Sequence, residues 1–130
     1  MDFGETKNYD FGNDPIVIRH FIRGIAGGKV LDVTGFTPDF IKAGHIIIRS
    51  TDASEKIVYK PLGVSSGAYV SLPQGYEYCG VAVATVPKTE PIVGIMYNGE
   101  VNDVCSPYPI ASIKSALASA LPMLKFEHDD

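Results

Sequence analysis

The 130-residue chain predicts a mainly β (α+β) fold, a small barrel- or sandwich-like domain with one short C-terminal helix and a flexible N-terminal arm. Three observations carry this. Short β-branched runs are separated by turn residues every 8 to 15 positions, the spacing of a small all-β domain. Two apolar runs, Tyr78–Val86 and Ile92–Tyr97, flank a turn bracketed by Pro87 and Pro91. After Cys105 the apolar period changes to three and four, with Ile110, Ile113, Leu117 and Leu121 on one helical face.

Length suits a single domain, and no apolar run approaches the ~20 residues of a membrane-spanning helix. The first residues do not form a secretory signal, which points to synthesis in a cytoplasm. Net charge is −4 and unevenly spread. Residues 1–14 hold Asp2, Glu5, Asp10 and Asp14 against Lys7, a net −3, and residues 122–130 hold a net −2. The nearly neutral body carries no basic stripe that would argue for nucleic acid.

Residues 1–14 show no clear period and contain Phe3, Tyr9 and Phe11 among polar residues and glycine. They read either as an ordinary terminus or as an arm that orders on a partner through its aromatics. A single β-rich domain over 15–126 follows, then an acidic tail at 127–130. Within the domain, Pro15–Arg23 is a first strand continuing through Ile25 to a turn at Gly27-Gly28, and Lys29–Thr34 is a second. Phe36–Ala43 suits one helical turn, with Thr37 as N-cap, Pro38 at the first position and Phe40 and Ile41 facing the core.

His45–Arg49 and Ile57–Lys60 are compact strands, and Leu62–Ala68 is a Gly/Ser-rich loop. Leu72-Pro73-Gln74-Gly75 fits a type I turn. In the strand Tyr78–Val86, alternation puts Cys79, Val81, Val83 and Thr85 on one face and Gly80, Ala82, Ala84 and Val86 on the other. Neither face is polar, so both should be covered. The small face of Gly80, Ala82 and Ala84 suits close packing, by a helix or by a neighbouring subunit. Asn98-Gly99 is a strong hairpin signal, with Glu100–Val104 as the return arm. A helix over about 109–121, started at Pro109 and stopped by Pro122, precedes the short apolar tail Met123–Phe126.

Chemistry-bearing residues do not assemble into a catalytic pattern, and the chain is expected to be neither an enzyme nor a cofactor-binding protein. His20, His45 and His128 have no metal-ligand spacing. Gly63-Val64-Ser65-Ser66-Gly67 matches a nucleophile elbow only in letters, because no helical pattern follows. Gly27-Gly28-Lys29 lacks the phosphate-loop spacing. Cys79 reads as a small buried hydrophobe. A hairpin would bring Cys105 near it, but a cytoplasmic setting argues against a disulfide.

Three segments together resemble the lambda-type bacteriophage head decoration proteins. Ile41-Lys42-Ala43-Gly44-His45-Ile46-Ile47 looks like that family's strand-opening segment, and Pro91–Tyr97 like its late apolar strand. Ser115-Ala116-Leu117-Ala118-Ser119-Ala120-Leu121 looks like its C-terminal helix. That family also begins with a flexible N-terminal arm, of which this one is a more acidic version, while the Asn98-Gly99 hairpin and the tail after Pro122 have no counterpart in it.

The resemblance implies a virion structural protein, made in a host cytoplasm and seated on the capsid surface as a homotrimer. Its partner would be the major capsid protein, with no nucleic acid or membrane involved. Phe3, Tyr9 and Phe11 would be capsid-contact residues, and Gly80, Ala82 and Ala84 a subunit-packing face. Other readings are the base of a head fibre or another phage accessory domain. A small ligand- or peptide-binding β-barrel, with Tyr59, Tyr69, Tyr76, Tyr78 and Tyr97 lining a pocket, is a further one.

Overall fold

Strand β9, Ile92–Asn102, is the axis of the main sheet: β1 (Ile18–Val30) runs antiparallel along one side of it. On its other side β7 (Tyr76–Ala82) pairs with Ile95 and Met96, and β10 (Leu124–Glu127) runs parallel to residues 99–102. The computed structural model describes residues 17–50, 57–103 and 106–127.

The sheet continues from β7 to β3 (Ile46–Ser50) and β4 (Tyr59–Pro61), in the order β1-β9-β7-β3-β4. It then curls back on itself. Leu31, just past β1, forms a parallel bridge to Tyr59 of β4, and Asp32 N–H donates to the Tyr59 carbonyl at 2.8 Å. This contact joins the two ends of the sheet into a small barrel. Two short ribbons complete the fold: β2 (Phe40–Ile41) with β8 (Val86–Pro87), and β5 (Val64–Ser65) with β6 (Ala68–Tyr69). The single described helix, α1, spans Lys114–Ala120.

Both faces of the sheet are buried, as the paired apolar parities of the central strand require. Ile46 and Ile48 enter one core with Val81, Met96, Val101, Leu117 and Phe126, while Ile47 points into the other with Phe36, Ile41, Ala82 and Ile95. All three isoleucines are fully buried, each contributing roughly 1.5–3 kcal/mol relative to exposure.

Several local expectations give way to tertiary pairing. Residues 15 and 16 of the expected first strand lie outside the described residues, and residues 18–34 do not form two strands joined at Gly27-Gly28. β1 runs through to Val30, and the glycines fall in a register shift between Ile25 and Lys29. Phe36–Ala43 forms turns and then β2, not a helical turn; Ile41 is nonetheless fully buried. Ser66 and Gly67 have φ of 54° and 76°, so the Gly/Ser loop is a tight hairpin of the type that needs positive φ at both central positions. The turn before β7 is shifted by one residue: Tyr76 N–H donates to the Pro73 carbonyl, and Gly75, with φ of 85°, takes the position that favours glycine.

Asn98-Gly99 is not a hairpin turn. It lies inside β9, at a register shift against β1. A Cβ on Gly99 would overlap the His20 carbonyl oxygen and come within 2.7 Å of Met96 Sδ, so glycine is needed there for close backbone approach. At the C-terminus the helix is shorter than the apolar period suggests. Residues 110–113 form a turn, closed by Ile113 N–H to the Ile110 carbonyl. Ile110, Leu117 and Leu121 are buried as expected. The segment read as a short tail is β10, with Leu124 and Phe126 buried and Lys125 and Glu127 exposed, the alternation of a half-buried strand.

Candidate functional site

The β1–β9 ribbon is where the sheet presents apolar surface outward. Among the described residues β1 has β9 on one side and, before its end at Val30, no strand on the other. In the ladder Phe21 faces Gly99 and Arg23 faces Asn98, which leaves Ile22 as the inserted residue of a bulge. The bulge breaks the usual alternation, and Phe21 and Ile22 are both 53% exposed. With Tyr97 of β9 they border a shallow groove of about 550 Å³ floored by Gly24, Gly94 and Val83. A Cβ on Gly24 would sit 2.5 Å from the Ile95 carbonyl oxygen, so the groove floor is set by two closely packed backbones. At the tip of the ribbon Val30 and Ile92 face one another, 66% and 57% exposed.

This ribbon is also basic. β1 contains Arg19, His20, Arg23 and Lys29 and no carboxylate, while β9 contributes Glu100 alone. Arg19 reaches Glu100 at 3.8 Å, and Lys29 lies over the Tyr59 ring at 5.7 Å. A basic, apolar edge of this kind is suited to holding an extended segment of opposite charge through main-chain bonds and side-chain anchors.

A second cluster is chemically distinct and closed to solvent. His45 is fully buried, its ring met edge-on by Phe36, Tyr69 and Tyr108 at centroid distances of 5.3, 5.1 and 5.6 Å. Its Nε2 lies 2.9 Å from the Leu62 carbonyl oxygen, and Nδ1 has no hydrogen-bond partner. Burial holds the imidazole down to about 4 and pushes the Tyr69 phenol up. Tyr69 Oη in turn accepts a hydrogen bond from Ile46 N–H at 3.2 Å. The cluster ties the start of β3 to the β5–β6 hairpin and to the approach to α1.

The other candidates are dispersed. Gly80 and Ala82 are taken up inside the chain's own core. A Cβ on Gly80 would overlap the Met96 carbonyl oxygen and lie 2.9 Å from Ile95 Cγ2, and Ala82 is fully buried. Ala84 is partly buried against the same core. The small size of Gly80 and Ala82 thus serves β7–β9 packing within one chain. Phe3, Tyr9 and Phe11, the residues expected to contact a capsid, lie outside the described residues, as do Cys105 and His128.

Cys79 is a free, buried thiol, raised by that burial. Ser65 is exposed on β5 beside a hairpin turn, far from the strand-to-helix setting of a nucleophile elbow. The tyrosines spread over the sheet: Tyr78 and Tyr97 border a groove of about 390 Å³, Tyr69 belongs to the His45 cluster, and Tyr76 lies beneath Lys60. Among the described residues no three His, Cys, Asp or Glu side chains gather as a metal site would require, and no helix is long and apolar enough to cross a membrane.

The signal for the ribbon was present in the sequence as the acid-free run Ile18–Val30, but its exposure follows from bulges that no periodicity reveals. In comparison with known proteins, no family model, no curated protein and no solved structure matches the chain.

Proposed function

We propose that this protein is a virion structural protein, a capsid decoration protein that binds a phage head shell as a homotrimer and stabilises it through contacts with the major capsid protein. The observation that carries the reading is the β1–β9 ribbon: a long sheet edge with Phe21, Ile22, Val30 and Ile92 exposed, on a body whose remaining large apolar side chains are mostly packed. Exposed apolar surface of this kind marks protein contact.

The segments that resemble the decoration family occupy structural positions that suit the reading. Pro91–Tyr97 leads into and forms the first half of β9, Ser115–Leu121 covers most of α1, and Ile41–Ile47 opens β3. A ligand that binds only the mature shell stabilises it by mass action, and three linked copies multiply a weak contact.

The test is adsorption. Shells of the matching phage prepared without this protein are incubated with it and sedimented. Saturable co-sedimentation at a fixed number of copies per shell is expected; protein left wholly in the supernatant at micromolar concentration overturns the reading.

A further inference from the structure

We infer that His45 is an acid-operated latch: when its ring takes up a second proton, the β5–β6 hairpin from Gly63 to Leu72 swings off the body while β3, β7, β9 and β1 stay paired. The opening is a local step, distinct from loss of the whole fold, and it bares apolar surface. Tyr69, Val70 and Leu72 are the side chains of this segment that cover the core of Ile46, Ile48 and Val81.

The hairpin is the loosest wall around the ring. β5 and β6 form a two-stranded ribbon of their own, outside the main sheet, with Val64 opposite Tyr69 and Ser65 opposite Ala68. Residues 65–68 at its tip are exposed. The hydrogen bond that fastens it to β3 runs from Ile46 N–H to Tyr69 Oη, at 3.2 Å. The other walls are firmer. Phe36 is buried and its carbonyl holds Lys88 Nζ at 2.9 Å, and Tyr108 leads into α1, which Leu117 anchors in the core. A segment with few buried contacts of its own opens before the sheet it rests on.

Leu62 is the fixed end of the movement. It is fully buried, its N–H donates to the Ile46 carbonyl at 2.9 Å, and its carbonyl accepts from His45 Nε2–H. Protonation leaves that last bond intact, since Nε2 still donates. The strain falls on Nδ1, which would become a donor with no acceptor inside a ring of aromatic edges. The titratable groups that meet the ring are the phenols of Tyr69 and Tyr108, and neither supplies an anion in the acid range. The charged side chains on the adjoining residues are both cations: Lys88 at Phe36, and Lys42, whose carbonyl accepts the His45 N–H. The imidazolium must therefore find water, and moving Tyr69 away admits it.

The sign follows. The closed ring titrates at about 4, and the open one at the ordinary ~6.5. Above pH ~6.5 the latch stays shut; below it, each pH unit favours opening about tenfold until pH nears 4.

The experiment is amide hydrogen exchange of the full chain, followed by NMR from pH 7.5 to 4.5, with each rate divided by that of an unstructured peptide at the same pH. The Ile46 amide should lose protection about tenfold per pH unit below ~6.5, with no response to low urea. The Leu62 and Ala82 amides, bonded to the Ile46 and His45 carbonyls, should exchange more slowly and accelerate with urea. His45→Gln should abolish the acid dependence at Ile46. Tyr69→Phe, which keeps the ring but removes the oxygen, should raise Ile46 exchange several-fold at pH 7 and retain that dependence. Ile46 exchanging at the rate and urea response of Leu62 and Ala82, an acid dependence that survives in His45→Gln, or Ile46 exchange unchanged in Tyr69→Phe would each overturn the inference.

Discussion

The imidazole Nε2 of His45 lies 2.9 Å from the Leu62 carbonyl oxygen, and this one contact decides which nitrogen carries the proton. A carbonyl can only accept, so Nε2–H donates and the neutral ring is left with its Nδ1 lone pair among aromatic edges, unpartnered. A second proton would have to enter a fully buried site that offers it no acceptor.

Acid should therefore unfold the protein through His45. Its folded value is about 4, against the ~6.5 of a free imidazole, so the unfolded chain takes up the proton first. The contribution is complete above pH ~6.5 and is lost as pH falls towards 4, amounting to about 3 kcal/mol across that window. Urea unfolding measured between pH 7.5 and 4.5 should show this slope. His45→Gln, whose side-chain amide can still donate to Leu62, should flatten it; an unchanged slope in the variant would assign the acid sensitivity elsewhere.

Gly80→Ala should lower stability by about 1–3 kcal/mol, because its methyl would meet the Met96 carbonyl and Ile95 across the β7–β9 ladder. Solution mass should stay unchanged at concentrations where the variant is folded. A variant of native stability but altered mass would instead place Gly80 at a subunit contact.

The C-terminal cover should be as costly to weaken as the central strands. Leu117, the buried residue of α1, and Phe126 of β10 share a core with Ile46 and Met96. Leu117→Ala should cost about 2–5 kcal/mol and Phe126→Ala about 3–5 kcal/mol. Met123→Ala, at a site 55% exposed, should change stability by less than ~0.5 kcal/mol. Urea midpoints at neutral pH distinguish the three.

The short Arg49–Glu77 ion pair should matter little. Its N–O distance is 2.6 Å, yet the two side chains are 39% and 47% exposed, and solvent screens such pairs. Glu77→Gln should shift stability by under ~1 kcal/mol, read from the same unfolding curves.

The fold class was legible because strand composition and turn chemistry are local. Ile46–Ile48 and the stripe Ile110, Leu117 and Leu121 could be assigned to the core from pattern alone. What escaped are features set by pairing at long range. Cys79 is an inserted residue between Tyr78 and Gly80 opposite β3, so Cys79 and Val81 enter different cores although their parity is the same. Asn98-Gly99 has the composition of a turn, but β1 pairs straight across it, and glycine is required by His20 and Met96 instead. Leu124 and Phe126 look like a tail until β9 supplies the neighbour that makes them a strand. The ribbon's apolar face was hidden for the same reason: Ile22 is exposed by a bulge whose cause lies about 75 residues away in the sequence.

The thermal rupture of expanded shells, followed by calorimetry as this protein is titrated in, tests the central claim most directly. A saturable rise in rupture temperature that levels off at full occupancy is the predicted result. A rupture temperature that stays constant through a large molar excess of folded protein would contradict it.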